Sequence, residues 1–282
     1  MKYIFDYGGT LDTRGNHWGR VIWHAYEHNA MPISWEQFRE AYVYAERTLG
    51  RNPIVGPTWT FKKLLDVKLR LQMEYLFTKG YWQADKKAFT KMQLNLLDEL
   101  YDHTRQVTAE SRAVLQQLNA QQNDKSVPHL QENDKSVPLL QENDKSVPLL
   151  QENDKSVPLL QEGSGEVAHK PSFVLVSNFY GNISVVLKEF GLDTFFPTII
   201  ESAVVGIRKP DARIFSLGVE ALGVKPEEVT VVGDSVGKDI IPARSIGCHT
   251  VWFKGESWDD KVEDETIPER IITSLSELLL GQ

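Results

Sequence analysis

Five short apolar runs, "KYIF", "SFVLVS", "PTIIES", "VTVVGD" and "HTVWF", punctuate the sequence. Each is continuous rather than alternating and most are rich in β-branched residues. A strand that is apolar on both sides must be covered on both faces, and a parallel sheet flanked by helices provides that cover. The stretches between the runs have helical patterning with glycine stops: Ile183 to Phe190 before Gly191, Ala212 to Leu222 before Gly223, and Asp239 to Ile246 before Gly247. Glycine suits a helix end because it adopts the left-handed conformation without steric cost. The alternation predicts an α/β chain built on a doubly wound, Rossmann-like parallel sheet.

Residues 14 to 105 break this rhythm. Trp18, Val21, Ile22, Ala25 and Tyr26 share one helical face, as do Trp35, Phe38, Tyr42, Ala45 and Leu49, and then Phe61, Leu65, Leu69, Met73 and Leu76. An all-helical block inserted after the first strand is expected. Five of the seven tryptophans fall in it and are read as its core, with one or two free to face a ligand.

From Asn123 to Glu162 the chain repeats itself as "NDKSVPHLQE NDKSVPLLQE NDKSVPLLQE NDKSVPLLQE". Ten residues advance a helix by about 1000°, so the paired leucines rotate by about 80° per copy and no straight helix keeps them in one stripe. The segment is expected to be an inserted, flexible or partly helical appendage. A packed array and an arm for a protein partner are the alternatives.

Each copy carries one net negative charge, so the repeats account for half of the formal charge of -8. An acidic chain is poorly suited to a phosphate backbone, which excludes nucleic acid as an expected partner. The single cysteine, Cys248, rules out an internal disulfide. The start "MKYIFDYGG" is too quickly charged for a leader or a membrane span, so a soluble cytoplasmic protein is expected.

Ligands of parallel α/β sheets bind beyond the carboxyl ends of the strands. There the first run ends in Asp6, the second in Ser177 and Asn178, and the fourth opens "GDSVGKD" with Asp234 and Asp239; Lys209 of "GIRKPD" follows the third. A carboxylate nucleophile, a hydroxyl, a lysine and an acidic pair suit attack on phosphorus. Carboxylates hold Mg²⁺ through hard oxygen ligands, metal and lysine neutralise phosphoryl oxygens, and Asp6 can form an aspartyl-phosphate. The structural alternatives are a turn or cap role for Asp6, Asp234, Ser177 and Asn178, a cap of the following helix for Asp239, and a solvated pair for Arg208 and Lys209.

In this order, "FDYGGTLD", "VLVSN", "GIRKPDARIF" and "VVGDSVGKD" resemble the four motifs of the haloacid dehalogenase superfamily. The resemblance covers nearly all residues outside the repeats. It implies Asp6 as nucleophile, Mg²⁺ on Asp6, the Gly8 carbonyl and Asp234, with Asp239 on the metal too or just behind its ligands, and a phosphate-binding set of Gly9, Thr10, Ser177, Asn178 and Lys209. Which of Arg208 and Lys209 points inward rests on that pattern. The implied division is core 1–13, helical cap 14–105 acting as a lid, core helix 106–119, repeat insertion and linker 120–170, and core 171–282.

Gly8 departs from the phosphatase form of that family, which has an aspartate there as general acid and base. The metal contact is untouched, because only a backbone carbonyl is needed. Proton donation to the leaving group is removed, a term worth ~10²–10⁴ in rate. Asp12, His17 and His24 are the candidate substitutes. The expectation is a Mg²⁺-dependent hydrolase acting on a small phosphorylated metabolite. A non-catalytic scaffold using the repeat arm and a 2-haloacid dehalogenase are the alternatives, the latter disfavoured because it has no use for an acidic pair around a cation.

Overall fold

The computed structural model describes residues 2–51, 54–125, 172–259 and 262–280. Residues 126–171 lie outside the described residues, and with them most of the repeats.

The chain opens with β1 (Lys2–Phe5) and then four helices: α1 (Trp18–His28), α2 (Trp35–Arg51), α3 (Phe61–Thr78) and α4 (Lys86–Lys125). It continues through β2 (Phe173–Ser177), α5 (Ile183–Glu189), β3 (Thr198–Glu201), α6 (Ser202–Val205), α7 (Arg213–Leu222), β4 (Val229–Gly233), α8 (Ile241–Ser245), β5 (His249–Phe253) and β6 (Arg270–Ile272). The six strands form one parallel sheet in the order β3-β2-β1-β4-β5-β6. The winding direction reverses between β1 and β4, where Phe5 stands opposite Val232. That reversal opens the crevice in which a doubly wound sheet holds its ligand.

Strand periodicity splits the core in two. Tyr3, Phe5, Phe173 and Leu175 face the layer that includes Leu115 and Leu118 of α4, whereas Ile4, Val174 and Val176 face Ile214, Phe215 and Leu222 of α7. Both faces are therefore covered, which is why the runs lack polar alternation. α7 packs so close that a Cβ on Gly218 would stand 2.8 Å from Ile4 Cδ1.

The expected helical faces of the insertion are turned inward. Ile22, Ala25 and Tyr26 of α1, Phe38, Tyr42, Ala45 and Leu49 of α2, and Phe61, Leu65, Leu69, Met73 and Leu76 of α3 are all buried. Three features differ from the expectation. α4 runs unbroken for 40 residues, so the division drawn at 105–106 falls inside one helix. The helix expected from Asp239 begins earlier, with a wide turn over Val236–Ile240 that carries Asp239 within it. β6 is an added edge strand whose three residues are too few to show a pattern. Among the described residues, no helix is long and apolar enough to cross a membrane.

Candidate active site

Strand β1 delivers Asp6 to the rim, and its amide extends the ladder by donating to Val232 O at 3.0 Å. The chain then turns sharply, with Thr10 and Leu11 amides donating to Tyr7 O at 3.1 and 2.8 Å. Gly9 has φ +101°, and a side chain there would also collide with the Asp234 carboxylate, so glycine is required twice over. Thr10 Oγ1 lies 3.5 Å from Asp6 Oδ2, at the limit of a hydrogen bond.

Strand β4 delivers the second carboxylate. Asp234 follows Gly233, and its carbonyl is held by Trp252 Nε1 at 2.8 Å. Asp239 swings back under the same strand end, where a side chain on Gly233 would clash with it, and Asp239 Oδ2 accepts from Ser235 N at 3.1 Å. Oxygens of Asp6, Asp234 and Asp239 lie within 4.8 Å of one another.

Lys209 is the inward member of its pair. Its Nζ lies 2.5 Å from Asp6 Oδ1 and 2.7 Å from Asp239 Oδ1, while Arg208 is exposed. The Asn178 amide grips the backbone carrying this lysine, accepting from Lys209 N at 2.9 Å and donating to Lys209 O at 3.0 Å. Ser177, at the end of β2, is buried and lines the same cavity as Asp6 and Lys209.

Three carboxylates around one ammonium leave excess negative charge. Burial drives the Asp6 pKa up, Lys209 opposes this and Asp239 reinforces it, for a net rise. Asp234 is pushed well above the usual carboxylate range by burial, then by Asp239 and Asp6. Lys209 is held above its ordinary value, because the two carboxylates outweigh its desolvation. A hard divalent cation fits this donor set, since it would return to Asp6 and Asp234 the charge balance that one lysine cannot give.

The space beside Gly8 is open. A Cβ built there would find Trp18 Cδ1, at 4.0 Å, as its nearest neighbour. Asp12 is buried close by, its two oxygens accepting from Gly9 N at 2.7 Å and Trp18 Nε1 at 2.9 Å. Burial raises its pKa to about 7 against those two bonds. His17 caps α1 by accepting from Gly19 N, and burial with nearby Lys238 lowers its pKa to about 4. His24 is paired with Glu27 and Glu256 and does not line the cavity.

The cavity measures about 160 Å³, and Trp18, Tyr42 and Phe61 roof it from the helical insertion. Glu46 of α2 and Lys68 of α3 also reach it. Sequence reading did not single these two out. The available signal was their placement: each is a charged residue at a helical spacing that continues an apolar stripe, Glu46 after Tyr42 and Lys68 after Leu64 and Leu65.

The family pattern described as "Hydrolase: haloacid dehalogenase-like hydrolase" matches residues 3–247. The chain belongs to this family. It is 39% identical over 89 residues to the glyceraldehyde 3-phosphate phosphatase of Pyrococcus furiosus, a match covering 31% of this chain and 37% of that protein. The phosphoserine phosphatase of Thermus thermophilus is 38% identical over 93 residues, covering 33% of this chain and 36% of that protein. The chain thus spans well under half the length of these relatives. The crystal structure of a dehalogenase superposes with a TM-score of 0.51 at 16% identity, covering 100% of this chain and 97% of that one. At that identity the likeness is one of fold.

Proposed function

We propose that the protein is a Mg²⁺-dependent phosphatase of small phosphorylated metabolites working through an aspartyl-phosphate. The observation that carries this reading is the gathering of Asp6, Asp234 and Asp239, two of them paired with Lys209, at the switch point of the sheet. A dehalogenase reading gives no role to two further carboxylates beside the nucleophile, the half-buried Asp234 and the buried Asp239. The names of the matched relatives, which include a glyceraldehyde 3-phosphate phosphatase and a phosphoserine phosphatase, point the same way.

Asp6, Asp234, Asp239 and the Gly8 carbonyl are the groups that would hold the metal. When bound, it supplies neutralisation of charge building on the phosphoryl oxygens. The protein's own groups do the rest. Lys209 favours the ionised form of Asp6 and orients it; Ser177 offers its hydroxyl to the phosphoryl group, while Asn178 fixes the lysine's backbone; the Gly9 and Thr10 amides, already donating to Asp12 and Tyr7, shape the β1 turn instead of binding phosphate. An Asp6 oxygen attacks phosphorus, a new P–O bond forms, and the bond to the leaving oxygen breaks with its electron pair. With no carboxyl at position 8, the departing oxygen takes its proton from solvent. Water then attacks phosphorus, the aspartyl bond breaks, and inorganic phosphate leaves with the Asp6 carboxylate restored. On this reading the enzyme is cytoplasmic and acts on small molecules, and the repeat segment is the candidate surface for a protein partner. A panel of phosphate esters, including glyceraldehyde 3-phosphate and phosphoserine, assayed with and without Mg²⁺ tests the reading. Release of phosphate from no ester in the presence of Mg²⁺ would overturn it.

A further inference from the structure

The roof of the cavity holds an ion pair that the phosphoryl chemistry does not use. Lys68 Nζ lies 2.7 Å from Glu46 Oε1, and Tyr180, on the loop after β2, donates to Glu46 Oε2 at 2.6 Å. The Lys68 side chain is 12% exposed and that of Glu46 31%, and both line the cavity. Lys68 also stands 5.6 Å from the centre of the Tyr180 ring. Three elements, α2, α3 and the β2 loop, thus converge on one charged pair.

Charge divides the cavity into two ends. At the floor, Asp6, Asp234 and Asp239 set three carboxylates against the one ammonium of Lys209; a divalent cation would bring that set, fully ionised, to neutrality. Arg208 and Lys238 also line the cavity from the core loops, and their two charges match a phosphate dianion. At the roof, Glu46 and Lys68 cancel. Burial works against both charges, but each holds the other ionised: Glu46 stays below its ordinary pKa and Lys68 above.

We infer that the Glu46–Lys68–Tyr180 cluster binds the non-phosphate end of the substrate, and that this end is a small, uncharged, hydroxyl-bearing group. The inference rests on the phosphatase reading for the orientation of the substrate, with phosphate at the floor. A carboxylate at the roof would meet Glu46 as a like charge and find Lys68 already neutralised. An ammonium group would meet the converse difficulty. A hydroxyl donates to the carboxylate and accepts from the ammonium at once, leaving the pair intact. The Lys68 ammonium has three N–H groups, and its contacts with Glu46 and Tyr180 occupy at most two. The cavity is small, about 160 Å³, in keeping with a small ligand.

The experiment measures dissociation constants by calorimetry on the Asp6→Asn protein with Mg²⁺, where turnover does not interfere. The probes share an alkyl phosphate and differ at the far end: glycerol 3-phosphate, 3-phosphoglycerate and phosphoethanolamine. Glycerol 3-phosphate should bind at least about tenfold more tightly than either charged probe. Glu46→Gln in the same background should bring 3-phosphoglycerate to within about threefold of it, because Lys68 is then unpaired. The double change Glu46→Gln with Lys68→Met removes both charges together. It should weaken glycerol 3-phosphate by about tenfold while leaving inorganic phosphate unchanged, a split that a general loss of structure would not produce. Equal or tighter binding of a charged probe, a ranking unmoved by these variants, or binding of none of the three would overturn the inference. Turnover of p-nitrophenyl phosphate by the unaltered protein is followed separately. Its absence with Mg²⁺ would count against the phosphatase reading, while the ranking would still judge the roof.

Discussion

The Lys209 ammonium and the Asp6 carboxylate stand 2.5 Å apart, with side chains 3% and 6% exposed. Lys209 also reaches Asp239, so one cation ties the end of β1 to the turn after β4. Removing it leaves buried carboxylates without a partner, which costs about 3–5 kcal/mol in comparable sites. Lys209→Met should therefore lower the melting temperature markedly in EDTA and recover part of the loss when Mg²⁺ is added. Unfolding curves with each additive check this, and equal loss in both would mean that the carboxylates do not share a cation.

Asp6→Asn should preserve the fold, because the amide is nearly isosteric with the carboxylate. It should reduce turnover below about a hundredth by removing the nucleophile. Circular dichroism and phosphate release measured on the same sample separate the two effects. Retention of a tenth of the activity would rule out an aspartyl intermediate at this position.

How far the sequence reveals this site depends on what each residue relies upon. Asp6, Ser177 and Asp234 are legible because a parallel sheet brings every strand end to one rim, so identity and position along the run suffice. Lys209 is only half legible, since "GIRKPD" presents two cations and the grip of Asn178 on the Lys209 backbone, which no local pattern encodes, accompanies the choice between them. Asp239 is displaced from its expected place at a helix start because the turn over Val236–Ile240 is wider than an α-helical one. Glu46, Lys68 and Tyr180 are invisible as a group: their meeting depends on how α2 and α3 sit over the β2 loop, a tertiary arrangement between positions far apart in the chain.

Gly8 sets the preference among leaving groups. Without a carboxyl at that position, aryl and acyl phosphates should be hydrolysed faster than alkyl phosphates of similar size, by about 10²-fold or more. The backbone there is not left-handed and the nearest atom to a new Cβ is 4.0 Å away, so Gly8→Asp is sterically admissible and should narrow the ratio. Rates on p-nitrophenyl phosphate and glycerol 3-phosphate for both proteins provide the comparison. Equal rates in the unaltered protein would direct attention to Asp12 as proton donor.

His17 should make the fold sensitive to acid. Its Nδ1 accepts from Gly19 N, a bond only the unprotonated nitrogen can make, and its ring packs on Trp258 at a centroid distance of 5.2 Å. The pKa falls from 6.5 to about 4, so the folded state binds fewer protons than the unfolded state between these values. This contribution to stability is complete above about 6.5 and is lost as the pH falls toward 4, amounting to about 2 kcal/mol between pH 7 and pH 5. Asn retains the capping acceptor without titrating. The stability difference between His17→Asn and the unaltered protein, from urea midpoints, should therefore shift in favour of the variant by that amount at pH 5. An unchanged difference would mean that His17 titrates normally.

The repeats should be dispensable for catalysis. The chain leaves α4 at Lys125 and re-enters the sheet at Ser172, whose carbonyl accepts from Tyr3 N at 3.0 Å, so it returns at the amino ends of β1 and β2. Asp6 and Ser177 stand at the other ends of those strands, about 13–17 Å away at the rise of an extended chain. A connection that starts its strand on the remote rim can lose whole copies with little change in loop-closure free energy. Near-identity of the four copies agrees with this, because a segment shaped around a substrate would need different residues at different positions. Replacing residues 126–162 with a short Gly-Ser linker should leave kcat/KM within about threefold and the melting temperature within a few degrees. A tenfold fall in kcat/KM, or failure to fold, would show instead that the segment packs on the core or reaches the roof of the cavity.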